Sequence, residues 1–242
     1  MQLSKIGKLT GWLYVAIIIG SVAGGVLTEL YLQSALNQTT ASEINGGIIP
    51  EWVFRGGFFA YFLVAVSEIA TTAALFFLFE KVDRPLAVLS ALFRFAEAMI
   101  LAANLINQYN AFLILNGAEY LSAFQPNQQT ALASAMLATH RSVYLIGQVF
   151  FGLHCLFLGL LIVRSIDFPK IIGVFFTAAA FGYLIESIVY FLHPDFSAVE
   201  AVISWISAVP AIFAELSFTY WLLFKTGKNR KLTRKMASKE TA

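Results

Sequence analysis

The sequence predicts an all-α fold: a polytopic membrane protein, a bundle of six transmembrane helices with both termini cytoplasmic. Three observations carry that reading. The 242 residues are 59% hydrophobic and 12% charged, with a mean hydropathy of +0.75, far from the balance of a soluble domain. Six stretches are long and apolar enough to cross a hydrocarbon core, which takes about 20 helical residues. Lys and Arg gather between alternate stretches, as cytoplasmic turns require.

Taken in order, the spans fall near 9–32, 53–80, 85–116, 135–163, 169–192 and 199–224. The first follows Lys5 and Lys8 but lacks a small-x-small cleavage site, so it reads as a retained helix. The third and fourth exceed a perpendicular crossing and should tilt or extend outward. Inner turns "EKVDRP" and "RSIDFPK" are short and place a proline near the next helix's first turn, which makes antiparallel hairpins. A small-residue run after Pro126 should start span four.

Lys5 and Lys8, Lys81 and Arg84, Arg164 and Lys170, and the tail from Lys225 to Lys239 all lie on one side, while the alternate loops hold little beyond Arg55. Residues 1–226 therefore read as a six-helix transmembrane domain and 227–242 as a basic cytoplasmic tail, in the plasma (inner) membrane. The tail's cations mark topology and contact anionic lipid rather than nucleic acid. Cys155 stands alone in the chain, so it forms no intramolecular disulfide.

Depth can be counted from the inner basic residues at about 1.5 Å per helical residue. By that count Glu68, Arg94, Glu97, His154 and Glu215 all lie about 15–20 Å in, close to the middle of a core about 30 Å thick. Gln148 and Glu186 come next at about 24 Å, then Asn104 and Tyr144 near 30 Å, with Asn107, Gln108, His140, Arg141 and Glu29 beyond. On span three, Arg94, Glu97, Leu101, Asn104 and Gln108 recur at steps of three and four, which makes one stripe. A charge at the bilayer centre costs about 2.5–3.5 kcal/mol on insertion scales, so these stripes should face the interior as a polar column.

Part of this polarity is interhelical glue. Arg94 and Glu97 at i,i+3 can neutralise one another, and amides commonly bridge helices. The glue reading leaves a surplus of acids, since Glu68, Glu97, Glu186 and Glu215 face only Arg94 and a titratable His154. Uncompensated carboxylates in hydrocarbon imply a bound proton or cation.

Other chemistries fit less well. A two-haem bundle needs histidines on facing helices, and His193 sits at the outer end of span five, which leaves open one haem with an unusual second ligand. His140 and His154 are too far apart along one helix to share a zinc ion; only a mixed site of His154, Glu68 and Glu215 stays open on depth. No metal is assigned and no cofactor is specified. Cys155 adjoins His154 but points about 100° away, so the two are no activated pair. Gly147, Gly152 and Gly159 suit close helix packing, and Pro210 could kink span six near Glu215.

The segments "FRFAEAMILAANLIN", "GQVFFGLHCLFLGLLIVRS", "FPKIIGVFFTAAAFGYLIES" and "AELSFTYWLL" together resemble a bacterial membrane-protein family catalogued as domain of unknown function 4386. The resemblance runs over almost the whole chain. It implies a polytopic helical membrane protein and no particular activity.

The first functional expectation is a binding or transport protein for a small molecule, cation or proton, built on Glu68, Arg94, Glu97, Asn104, Gln148, His154, Glu186 and Glu215. Its partners would be the lipid bilayer, a small ligand and, because six spans are few for alternating access in one chain, a homo-oligomer. A second expectation is an intramembrane enzyme acting on a lipid or isoprenoid, with a glutamate base and a metal held by His154. A third is a sensor or assembly partner whose polar interior only specifies helix pairing.

Overall fold

The computed structural model describes residues 3–40, 49–193 and 195–226. They form six long helices: α1 Leu3–Thr40, α2 Glu51–Phe79, α3 Arg84–Leu115, α4 Pro126–Arg164, α5 Lys170–Leu192 and α6 Glu200–Phe224. Single 3-10 turns occur at Glu119–Leu121 and Phe196–Ala198, and there is no strand among the described residues. Every one of the six is long and apolar enough to cross a membrane, as the sequence predicts. Segment 41–48 of the first outer loop and the basic tail 227–242 lie outside the described residues.

Two helices outrun their expected spans. Helix α1 continues past residue 32 through polar "QSALNQTT", where no Pro or Gly interrupts it. Helix α4 starts at Pro126 rather than in the small-residue run. Proline suits a first helical position, and Gln128 accepts a 2.9 Å hydrogen bond from the Gln125 N–H, the reach-back half of a capping box. Helix α6 runs unbroken through Pro210.

The chain divides into two compact units. The first comprises Met1–Val15, Ser67–Glu97 and Leu145–Ala242, and the second Ala16–Val66 and Ala98–Tyr144.

In the first unit the core gathers around Phe218 of α6. Tyr14, Phe168 and Phe176 place their ring centres 5.4–5.5 Å from it, and Leu158, Leu161, Ile162 and Leu222 are buried beside it. Asp83 caps α3 by accepting from the Leu86 N–H at 3.2 Å, and it also ion-pairs with Arg164 at the end of α4. Trp221 Nε1 donates to the Asp167 carbonyl at 2.7 Å, which pins α6 to the turn between α4 and α5.

Small residues set the closest approaches. A methyl group on Gly159 would lie 2.5 Å from Thr177 Oγ1 and 2.7 Å from the Gly173 carbonyl oxygen, so α4 and α5 meet backbone to backbone. A methyl on Gly182 would lie 2.5 Å from Ser207 Cα, which does the same for α5 and α6.

In the second unit Phe54 and Phe112 stack with centres 4.2 Å apart, and Tyr31 closes over both. The Tyr31 hydroxyl donates to Asn116 Oδ1 at 2.7 Å. Gly57 packs on Thr28, and Gly24 on the Tyr61 ring. Both units expose large apolar side chains, among them Trp12, Ile171 and Trp205 in the first and Ile19, Phe59 and Ile106 in the second. That surface belongs in lipid.

The glycine contacts make a stability prediction. Gly159→Val should lower detergent-solubilised stability by about 1–3 kcal/mol through overpacking. Gly56→Ala, at a position where a methyl meets nothing within 4 Å, should leave it within about 1 kcal/mol. Thermal unfolding followed by circular dichroism compares the two, and equal losses would contradict the close α4–α5 contact.

Candidate functional site

The polar members of the α3 stripe are buried, with Leu101 half-buried between them, and the stripe starts one turn earlier than expected, at Ser90. Ser90, Arg94 and Glu97 belong to the first unit, Asn104 and Gln108 to the second. Each unit completes its own part of the stripe.

In the first unit the Arg94 guanidinium, 1% exposed, forms an ion pair through Nη2 with Glu68 Oε2 of α2, itself 6% exposed. This corrects the expectation that Arg94 holds Glu97. Helical side chains lean toward the N-terminus, so Arg94 reaches back while Glu97 stacks behind it, and an arginine preceding a glutamate is the weaker orientation. The counted depths of Glu68 and Arg94 differ by only about 3 Å, which puts the α2 carboxylate in reach.

Aromatic rings cover the guanidinium. Its central carbon lies 5.6 Å from the Tyr14 ring centre and 5.2 Å from that of Phe151, both within cation–π range. Glu97 is 5% exposed and Glu215 half-buried, and both carboxyls lie within electrostatic range of Arg94. Five helices thus contribute to one layer: Tyr14, Glu68, Arg94 with Glu97, His154 and Glu215. Arg94 Nε and Nη1, Glu97 Oε2 and the Tyr14 hydroxyl have no hydrogen-bond partner among the described residues. The layer therefore holds spare donors and acceptors around one salt bridge.

His154, 1% exposed, has Nδ1 2.9 Å from the Ser90 carbonyl oxygen and 2.9 Å from Ser90 Oγ. A carbonyl only accepts, so Nδ1 carries the hydrogen. In the neutral ring Nε2 is then a bare lone pair, without a partner among the described residues.

Gln148 and Glu186, placed at one depth by counting, do meet. Gln148 Nε2 donates to Glu186 Oε2 at 2.9 Å, and two serines of α6 join them: Ser204 to Oε1 at 2.9 Å and Ser207 to Oε2 at 2.7 Å. Three donors satisfy this carboxylate, so Glu186 does not swell the acid surplus. In the second unit Asn104 Nδ2 donates to the His140 carbonyl at 2.8 Å, and His140 Nδ1 lies 3.2 Å from the Asn104 carbonyl. Gln108 donates to Thr28 Oγ1 at 3.1 Å. These are neutral links between helices. Glu29 is exposed and accepts from Gln33 at 2.8 Å, so it belongs to no buried column. Tyr144 is 47% exposed.

Among the described residues no three His, Cys, Asp or Glu side chains are grouped to hold a metal ion. His154, Glu68 and Glu215 share a level but form no such set. Cys155, 1% exposed, packs in the core beside Leu158.

Tyr14, Ser90, Ser204 and Ser207 are the site residues that sequence reasoning missed. Counting from Lys5 puts Tyr14 about 13 Å deep, level with Arg94, so the same rule applied to α1 finds it. Ser90 stands four residues before Arg94 and extends the stripe by a turn.

The sequence profile of a family described as Domain of unknown function (DUF4386) matches residues 9–226. An uncharacterized protein of Archaeoglobus fulgidus is 27% identical over 167 residues, which cover 69% of this chain and 82% of the relative. No solved structure matches the chain.

The buried pair makes the second prediction. Arg94→Met should destabilise by about 3–5 kcal/mol, because it strands Glu68 in the interior. Arg94→Met combined with Glu68→Leu should recover most of that loss. A double-mutant cycle on unfolding free energies checks this; strictly additive effects would show that the two groups do not depend on each other.

Proposed function

Because the chain belongs to the DUF4386 family, whose description assigns no activity, we propose from the buried layer itself that it binds a proton or small cation and carries it across the bilayer. One observation supports this above the others: three carboxyl groups, Glu68, Glu97 and Glu215, surround a single buried arginine within helices that cross the membrane.

Glue explains one carboxylate of the three. An ion pair neutralises Glu68, and each further carboxylate in a low-dielectric layer needs its own positive charge. A proton or cation taken up from one side supplies it. Release to the other side follows if Arg94 changes partner, since the carboxylate it leaves must then hold a proton or cation and the one it joins need not. We read Gln148 with Glu186, and Asn104 with His140, as links that keep the helices in register while this happens.

The same reading puts the protein in the plasma membrane with both termini in the cytoplasm and the basic segment 227–242 against anionic lipid. Six short-looped spans leave little room for alternating access within one chain, so a homo-oligomer is the working unit.

Purified protein in liposomes provides the test, with internal pyranine for protons and a panel of sodium, potassium and tetraethylammonium for cations. Glu97→Gln and Glu215→Gln should each lower the flux of the active species at least tenfold, while exposed Glu29→Gln leaves it unchanged. Flux or binding indifferent to the Glu97→Gln, Glu215→Gln double variant would defeat the proposal.

A further inference from the structure

We infer that a groove along the first half of α6 binds an amphiphile from the bilayer that carries an ammonium head on an apolar tail. The site lies apart from the layer around Arg94 and does not depend on the transport reading.

Helical spacing makes the groove. Ser197 stands in the turn before α6, and Glu200, Ala201, Ser204, Trp205 and Ala208 follow at intervals that keep them on one face. Alanine and serine keep the floor of that face low, and Trp205, 67% exposed, rises beside it. Together the six residues line about 480 Å³, a volume that suits a small molecule.

Depth gives the groove a polar end and an apolar end. Counted from Lys225, Ala208 lies about 25 Å along α6, Trp205 about 30 Å and Glu200 about 37 Å. With a hydrocarbon core about 30 Å thick, Ala208 and Trp205 face acyl chains while Glu200 and Ser197 face headgroups. A tryptophan at this level is by itself a membrane anchor. The chemistry of the polar end is what makes it part of a site.

Behind each groove serine stands a carboxylate. Ser197 Oγ donates to Asp195 Oδ1 at 2.8 Å, and Ser204 Oγ donates to Glu186 Oε1 at 2.9 Å. A hydroxyl has one hydrogen, so both serines have only lone pairs left to offer the groove. Glu200, half-buried, adds a carboxylate, which accepts several hydrogen bonds at once. Apart from the indole N–H, the lining side chains are therefore acceptors or apolar.

Charge points the same way. No Lys or Arg occurs from residue 171 to 224, whereas Glu186, Asp195 and Glu200 gather at this end of the α5–α6 hairpin. His193 accepts the Asp195 N–H through Nδ1 at 3.2 Å, and an imidazole that accepts there is uncharged. A phosphate or carboxylate head would meet acceptors and like charge. A metal ion would need a closed ligand set, and no three His, Cys, Asp or Glu side chains are grouped to hold one among the described residues. An ammonium head brings both the N–H donors and the positive charge that this rim lacks. The Trp205 ring face attracts the same cation, and the alanines below it take the alkyl chain.

Equilibrium binding to the full-length protein tests this. In phosphatidylcholine nanodiscs, carbon-14 dodecylamine should bind saturably above its uptake by protein-free discs. Glu200→Gln and Trp205→Leu should each weaken binding at least fivefold. Ala201→Leu, which fills the groove from an exposed position, should abolish it, and exposed Glu29→Gln should leave it unchanged. Circular dichroism should show unchanged helix content in these variants, which separates lost binding from lost folding. Unlabelled dodecylamine should displace the label at least tenfold more effectively than dodecyl phosphate, dodecanol or methylamine. Uptake no greater than in protein-free discs, or binding unmoved by both Glu200→Gln and Ala201→Leu, would overturn the inference. Equal displacement by dodecyl phosphate or dodecanol would overturn it too, by reducing the groove to an unselective lipid contact.

Discussion

The Arg94–Glu68 ion pair is the constraint on which the first unit depends. A guanidinium 1% exposed in a membrane-crossing helix carries a desolvation penalty of several kcal/mol, and only a partner at the same depth can offset it. That requirement fixes the register of α2 against α3. The aromatic faces of Tyr14 and Phe151 then bring α1 and α4 against the same cation. Below it, Asp83 both caps α3 and pairs with Arg164, so α3 and α4 are tied at their turns as well. The polar layer sits on an apolar core centred on Phe218, whose packing holds α6 in place.

Away from the layer, polarity takes a different form. Glu186 is a carboxylate that neutral donors from α4 and α6 saturate, and the tight Gly182–Ser207 contact brings those serines close enough to do it. Charge-assisted bonds of this kind are strong, and here three of them engage both carboxylate oxygens. In the second unit the links are amide to carbonyl and amide to hydroxyl. Around Arg94, the side chains of Arg94, Glu97, Tyr14 and His154 each keep an unpartnered atom among the described residues, as do Thr71, Thr219 and, in the second unit, Gln108.

Much of this was legible in the sequence. Hydropathy and helix length yield the six crossings, because backbone groups in lipid must be satisfied within each segment. Depth counting put Glu68, Arg94, Glu97, His154 and Glu215 at one level and Gln148 level with Glu186, since helical rise is constant. It failed on partners. Depth says which side chains share a level, whereas pairing depends on azimuth and on the lean of each side chain, and so Glu68 rather than Glu97 took Arg94. Ser90 escaped notice because a serine contributes little to hydropathy. The polarity of Glu29 was read as interior when an i,i+4 glutamine on an exposed face satisfies it.

The members of the layer also differ in how tightly the surrounding helices hold them. Arg94 is held on several sides by Glu68 and two rings. Glu215 is half-buried and comes from α6, where Pro210 removes the N–H that would bond the Ile206 carbonyl. One rung is therefore missing from that helix between the Gly182–Ser207 clamp and Glu215, and bending there needs no backbone hydrogen bond to break. Arg94 is therefore the most constrained member of the layer, and Glu215 stands beyond the point where α6 bends most readily.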